Sequence, residues 1–185
     1  MTNEVDFSAS KSNATIFLVS GELDKAIAAF DVALGFAAMG IKVDMWFILY
    51  GINSIKKPRG LLARFKHLFK IMREVPGRRP ETDVLPQRLI PFLNSATNSS
   101  LPLSQLNFLG VGPLLVNFVI RHKNSPLLHD MVKEAESLGV NFKICQPCID
   151  ILMLDVEEEL MVNAEVQGVS SYTLDVMKSH YNGVF

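Results

Sequence analysis

The sequence predicts an α/β fold: an open, five-stranded, mostly parallel sheet flanked by helices. Three observations carry that expectation. Apolar runs of strand length alternate with segments of helical period, and glycines stand at the junctions. The run Lys42 to Tyr50 is almost continuously apolar, as a parallel strand buried on both faces must be. The chain of 185 residues, 49% of them hydrophobic, is long enough to bury one sizeable core.

Taken in order, Ala14 to Ser20 reads as the first strand, closed by Ser20-Gly21. Leu23 to Met39 reads as a helix stopped by Gly40, and Lys42 to Tyr50 as a second strand ended by Gly51 and Asn53. Residues 58 to 101 then form a basic, proline-containing insert. Leu61, Leu62, Phe65, Leu68, Phe69 and Met72 stand at helical spacing there, before Pro76, Pro80, Pro86 and Pro91 interrupt the chain. The strand–helix rhythm resumes with a strand over Ser104 to Leu109, a turn at Gly110 and Gly112, and a helix from Pro113 to His122. A helix over Leu127 to Leu138 closes at Gly139, and Val140 to Ile144 forms a strand with Cys145 at its carboxyl end. A short helix over Pro147 to Leu154, the acidic run Glu157 to Glu159, a helix over Ser170 to Ser179 and a strand over Tyr181 to Phe185 complete the chain. The layout is flavodoxin-like. One domain over residues 14–185 is expected, preceded by a flexible N-terminus, 1–13.

No stretch approaches the run of about 18 apolar residues that a membrane span needs. The first residues lack the basic and apolar regions of a signal peptide, so a cytoplasmic location is expected. The net charge of −1 conceals a segregation. Nine bases and one acid fall between Lys56 and Arg79, whereas ten acids and two lysines fall between Asp130 and Asp175. The apolar stripe and basic face of the 59–73 helix fit docking to a membrane surface or an acidic partner. The plainer reading is a lid packed on its own domain with its charges solvated. No aromatic platform accompanies the bases, so nucleic-acid binding is not expected.

The sharpest chemical signal is Cys145-Gln146-Pro147-Cys148. In a cytosolic chain two cysteines so spaced suit reactivity better than a structural disulfide. A thiolate at a strand's end faces the next helix's free N–H groups, and a lowered pKa is expected for it. The plain alternative is a pair of ordinary buried cysteines. Zinc would need further ligands, and neither His122 nor His129 has ligand spacing, so no metal and no cofactor are expected. Gly110 and Gly112 do not complete a dinucleotide fingerprint. Ser20, Gly21 and Asp24 after the first strand, and Gly51 and Asn53 after the second, should lie near Cys145 in a parallel sheet. With Gly110, Gly112 and Pro147 they are candidates to line its pocket, or else simple caps and turns.

Several segments carry a family resemblance. Ile16-Phe-Leu-Val-Ser-Gly-Glu-Leu-Asp-Lys-Ala26, Gly35 to Gly40, Trp46 to Asn53, Leu106-Asn-Phe-Leu-Gly-Val-Gly112, Leu138-Gly-Val140, Cys145 with Asp150, and Gly168 to Tyr172 follow one another in the order of the DsrE/DsrF-like family. The sequence resembles the longer subgroup of that family over most of its length after Ala14, least so in the insert. The resemblance implies a small α/β protein that oligomerises and passes sulfane sulfur between donor and acceptor proteins as a cysteine persulfide. Cys145 matches the carrier position. The subgroup usually has serine where Cys148 stands, methionine where Pro147 stands and glycine where Met153 stands.

The expected function is therefore a sulfur carrier or sulfurtransferase with a persulfide on Cys145. The alternatives are a thiol–disulfide oxidoreductase using both cysteines and a non-enzymatic assembly subunit. Cys148 is expected to be able to resolve the persulfide. A trimeric or hexameric homo-oligomer is expected as well. Asp31 is the only charged side chain between Ala26 and Met39, so that helix is apolar nearly all the way round and needs cover on a second side.

Overall fold

The computed structural model describes residues 13–58, 96–105, 107, 111–152 and 154–185. The 59–73 helix and its prolines, Gly110, Met153 and nearly all of the N-terminal segment lie outside the described residues.

Five parallel strands form one sheet: β1 (Asn13–Leu18), β2 (Lys42–Phe47), β3 (Asn141–Cys145), β4 (Ala164–Gln167) and β5 (Tyr181–Val184). Their spatial order is β4-β3-β2-β1-β5, so the chain winds outward from β1 to one edge and then returns past β1 to the other. Between them run α1 (Leu23–Ala38), α2 (Val111–His122), α3 (Leu128–Ser137), α4 (Gln146–Leu152), α5 (Val156–Glu159) and α6 (Val169–Lys178). Gly40 and Gly139 follow α1 and α3 with φ of 75° and 78°, the left-handed turn that releases each helix into β2 and toward β3.

The strand period of two divides the sheet into unlike faces. Ala14, Ile16 and Leu18 of β1, Val43, Met45 and Phe47 of β2, and Phe142 and Ile144 of β3 form an apolar face, closed by Ala26, Ala29, Phe30 and Ala33 of α1 and Leu128, Met131, Val132 and Ala135 of α3. Phe30, Phe47 and Phe142 cluster there with ring centroids 5.9–6.4 Å apart. The other face carries Thr15, Phe17, Asp44, Trp46 and Lys143 and is met by α6. Tyr172 stacks on Phe17 at 4.3 Å and meets Trp46 edge-on at 5.5 Å. Asp175 accepts from Trp46 Nε1 at 2.9 Å and from Lys143 Nζ at 2.7 Å, and the Thr15 and Ser179 hydroxyls pair. No residue of α6 is itself fully buried, so polar anchors hold this helix more than a core does.

Most of the expected elements are present, with shifted ends. The first two strands are shorter than expected, and a 3-10 helix over Leu49–Ile55 replaces the end of the second. One expected strand is corrected: Ser104, Gln105 and Asn107 are not in a strand. The backbone N–H and hydroxyl of Ser104 go to the Asp24 carboxylate instead of a ladder, while Leu23 N–H bonds the Pro102 carbonyl at 2.7 Å. That segment therefore straps the start of α1. The fifth strand is β4, which the short, partly polar Ala-Glu-Val-Gln sequence did not announce. Among the described residues α1 packs beside α3, and its Phe36 packs on Tyr181 at 4.8 Å. Larger exposed apolar side chains stand elsewhere: Leu114, Leu115 and Phe118 on α2, and Val169, Leu174 and Met177 on α6. No described helix is long and apolar enough to cross a membrane.

Candidate functional site: a dithiol at the carboxyl edge of the sheet

β3 ends at Cys145, paired to Phe47's strand on one side and opposite Gln167 of β4 on the other. α4 begins at the very next residue, so both cysteines belong to one strand-to-helix junction. Alternation along Asn141, Lys143 and Cys145 places Cys145 toward the polar face. Both thiols are free and only 6% exposed. They lie in reach of each other. Cys148, three residues on in the first turn of α4, is the neighbour that bears on the Cys145 thiol. Gln146 and Pro147 between them are exposed, and Gln146 Nε2 reaches Asp150 Oδ1 at 3.3 Å.

The expected lowering of the Cys145 pKa is corrected. Burial pushes the thiol up, the charge and thiol of Cys148 push it further, and the Cys148 N–H opposes them without prevailing. The short helix that follows does not offset the loss of water around a thiolate. Cys145 alkylation by iodoacetamide should therefore be slow at neutral pH and keep rising without a plateau below about pH 9. Peptide mapping of the alkylated protein across pH measures this, and a plateau near pH 7 would contradict the buried-thiol geometry.

The remaining sequence candidates separate into groups. Gly21 and Gly51 bring the loops after β1 and β2 together at the carboxyl edge. A side chain at Gly21 would meet Tyr50 at 2.8 Å, and Gly51 N–H donates to the Val19 carbonyl at 3.0 Å. Asn53 lies fully buried in the 3-10 helix, and its Oδ1 has no hydrogen-bond partner among the described residues. Among the described candidates it is the one with a buried side-chain polar atom that lacks a partner. Ser20 Oγ donates to Glu22 at 2.8 Å, and Glu22 pairs with Lys25. Asp24 is exposed and engaged by Ser104. Burial pushes its carboxyl up, but the Ser104 hydrogen bonds and the nearby Lys25 outweigh that and hold it below the usual range. Ser20 and Asp24 thus fasten the start of α1. Gly112 is buried near the start of α2. A surface cleft of about 520 Å³ lies between α2 and the start of α3, lined by Phe118, Arg121 and His129 among others, and includes neither cysteine. His122 lies on the surface beside Phe118, and His129 pairs with Asp130. Among the described residues no cluster of histidine, cysteine and carboxylate side chains could hold a metal.

One group near the dithiol escaped the reading of the sequence. Lys143, two residues before Cys145 and 7% exposed, lies between Asp44 Oδ1 at 3.1 Å and Asp175 Oδ2 at 2.7 Å, with Trp46 beneath it at 5.7 Å. Asn141 Nδ2 completes the network on Asp44 at 2.9 Å. The signal was present as charged residues at alternate positions of two strands, Asp44 in Lys-Val-Asp-Met-Trp and Lys143 in Asn-Phe-Lys-Ile-Cys.

An all-parallel α/β sheet with a cysteine pair at the carboxyl end of one strand places the chain in the open-sheet α/β class. It belongs to the DsrE/DsrF/DrsH-like family, whose model matches residues 10–87 and 69–183 and which is generally linked to sulfur relay. It is 27% identical over 168 residues to the uncharacterized protein YrkE of Bacillus subtilis (strain 168), covering 91% of this chain and 93% of that one. Among solved structures it is similar to the ychN protein from E. coli, with a TM-score of 0.48 and 8% identity over 94% of this chain and 99% of the other.

Proposed function

We propose that this protein is a sulfane-sulfur carrier that holds its cargo as a persulfide on Cys145. The observation that carries the reading is the position of this thiol: it ends a strand at the carboxyl edge of a parallel sheet, where such sheets bind ligands, and α4 starts at the next residue. The neighbouring Cys148 N–H favours negative charge on that sulfur, in the attacking thiolate and again when Cys145 leaves as a thiolate on unloading. Family membership supports the same class of chemistry.

In loading, the Cys145 thiolate attacks the outer sulfur of a donor persulfide. The new S–S bond forms as the donor's own S–S bond breaks, and the donor leaves as a thiolate. The acceptor repeats the exchange in reverse. Burial of both thiols shields the loaded sulfur from stray nucleophiles, and it favours a small or extended donor end over a bulky surface. In this reading donor and acceptor are proteins, and the carrier is a homo-oligomer.

Intact-mass measurement after incubation with inorganic polysulfide tests the assignment. Cys148→Ser should gain the mass of one sulfur atom and Cys145→Ser none. Uptake by Cys145→Ser together with none by Cys148→Ser would overturn the assignment to Cys145.

A further inference from the structure

We infer that Cys148 resolves the Cys145 persulfide, making the protein a sulfide-releasing persulfide reductase as well as a carrier. The inference rests on the carrier reading above and deepens it. Two observations support it. Cys145 ends β3 and Cys148 stands three residues on, in the first turn of α4, so both thiols belong to one strand-to-helix junction. Both are free and buried there, so the second thiol is held beside the loaded one while bulky external thiols are kept away.

The step balances without an external oxidant. Cys148, as thiolate, attacks the inner sulfur of Cys145–S–SH. The Cys145–Cys148 S–S bond forms, the bond to the outer sulfur breaks, and that sulfur leaves as hydrosulfide with the electron pair. The sulfane sulfur is reduced to sulfide and the two cysteines are oxidised to a disulfide. The C-x-x-C spacing closes a small ring that this chemistry commonly uses. A dithiol reductant then returns both cysteines to thiols by two exchanges. The net reaction consumes one persulfide and one dithiol and yields one thiol, one sulfide and one disulfide.

Holding the second thiol in place replaces a collision by an intramolecular attack, so resolution should outrun loss of sulfur to solution thiols by about tenfold or more. The experiment loads wild type, Cys148→Ser and Cys148→Ala with inorganic polysulfide and removes the excess. Persulfide mass, free sulfide and the Cys145–Cys148 disulfide are then followed without added reductant. Wild type should release one sulfide for each disulfide formed, and both variants should keep their sulfur about tenfold longer. Equal persulfide lifetimes in wild type and loaded variants, or sulfide release with no matching disulfide, would overturn the resolving role and leave the carrier reading standing. Failure of both Cys148 variants to take up any sulfur, with circular dichroism showing them folded, would overturn the carrier reading and this one together.

Discussion

Lys143→Met should destabilise the protein by about 3 kcal/mol, since it leaves two carboxylates facing each other without their cation in a mostly buried site. The wild-type geometry explains the size. Lys143 Nζ bridges Asp44 at 3.1 Å and Asp175 at 2.7 Å, and Asp175 also receives Trp46 Nε1. Asp175 is the polar anchor of α6, which buries no residue of its own completely. Loss of the ammonium should therefore loosen α6 from β2 and β3. For a chain of this size the loss corresponds to a fall in Tm of roughly 6–12 °C. The triple variant Lys143→Met/Asp44→Asn/Asp175→Asn should recover much of it, because what costs most is the unpaired charge. Thermal unfolding of the three forms checks this, and a single variant within about 0.5 kcal/mol of wild type would refute it.

The same network sets a pH dependence. Burial alone would push the Lys143 ammonium down, but the hydrogen bonds to Asp175 and Asp44 outweigh it and hold it above the ordinary lysine range. A group raised on folding contributes its stability fully below its unfolded value, about 10.4, and loses it as pH climbs through the folded value. The wild type's advantage over the triple variant should accordingly shrink in strong alkali.

Gly51→Ala should cost at least about 3 kcal/mol, through a clash that neither partner can relieve cheaply. A Cβ there would stand 2.1 Å from the Leu18 carbonyl oxygen and 2.8 Å from its carbon, both backbone atoms at the end of β1. Gly51 is pinned from the other side as well, its N–H shared between the Val19 and Ile48 carbonyls at 3.0 Å each. Moving it would separate the loops after β1 and β2 and disturb the carboxyl edge beside β3. Gly35→Ala is the natural contrast. That residue is exposed in α1 with nothing within 4 Å of the added atom, and the change should stabilise by about 0.5–1 kcal/mol. Chemical denaturation of the two variants gives opposite signs if close approach explains Gly51, and a mild effect at Gly51 would show that the loop shifts freely.

The sequence by itself determined the α/β class, the placing of β1, α1, β2, α2, α3, β3, α4, α6 and β5, and the strand-to-helix junction that holds Cys145 and Cys148. These are local matters: apolar runs, helical period, glycine stops and a four-residue motif. Tertiary structure alone decided the rest. Ser104 lost its place in a strand because Asp24, 80 residues away in the chain, takes its hydrogen bonds. β4 gained one because β3 offered Phe142 to Cys145 as an edge for a short segment with little intrinsic pattern. Asp24 and Ser20 sit after β1 as expected but are spent on fastening α1, which composition could not show. The register that sets Asp44 opposite Asn141 and Trp46 opposite Lys143 assembled the buried ion network from separate strands. Burial also reversed the expected direction of the Cys145 pKa, because desolvation depends on everything packed around a thiol, whereas a motif names only its neighbours in sequence.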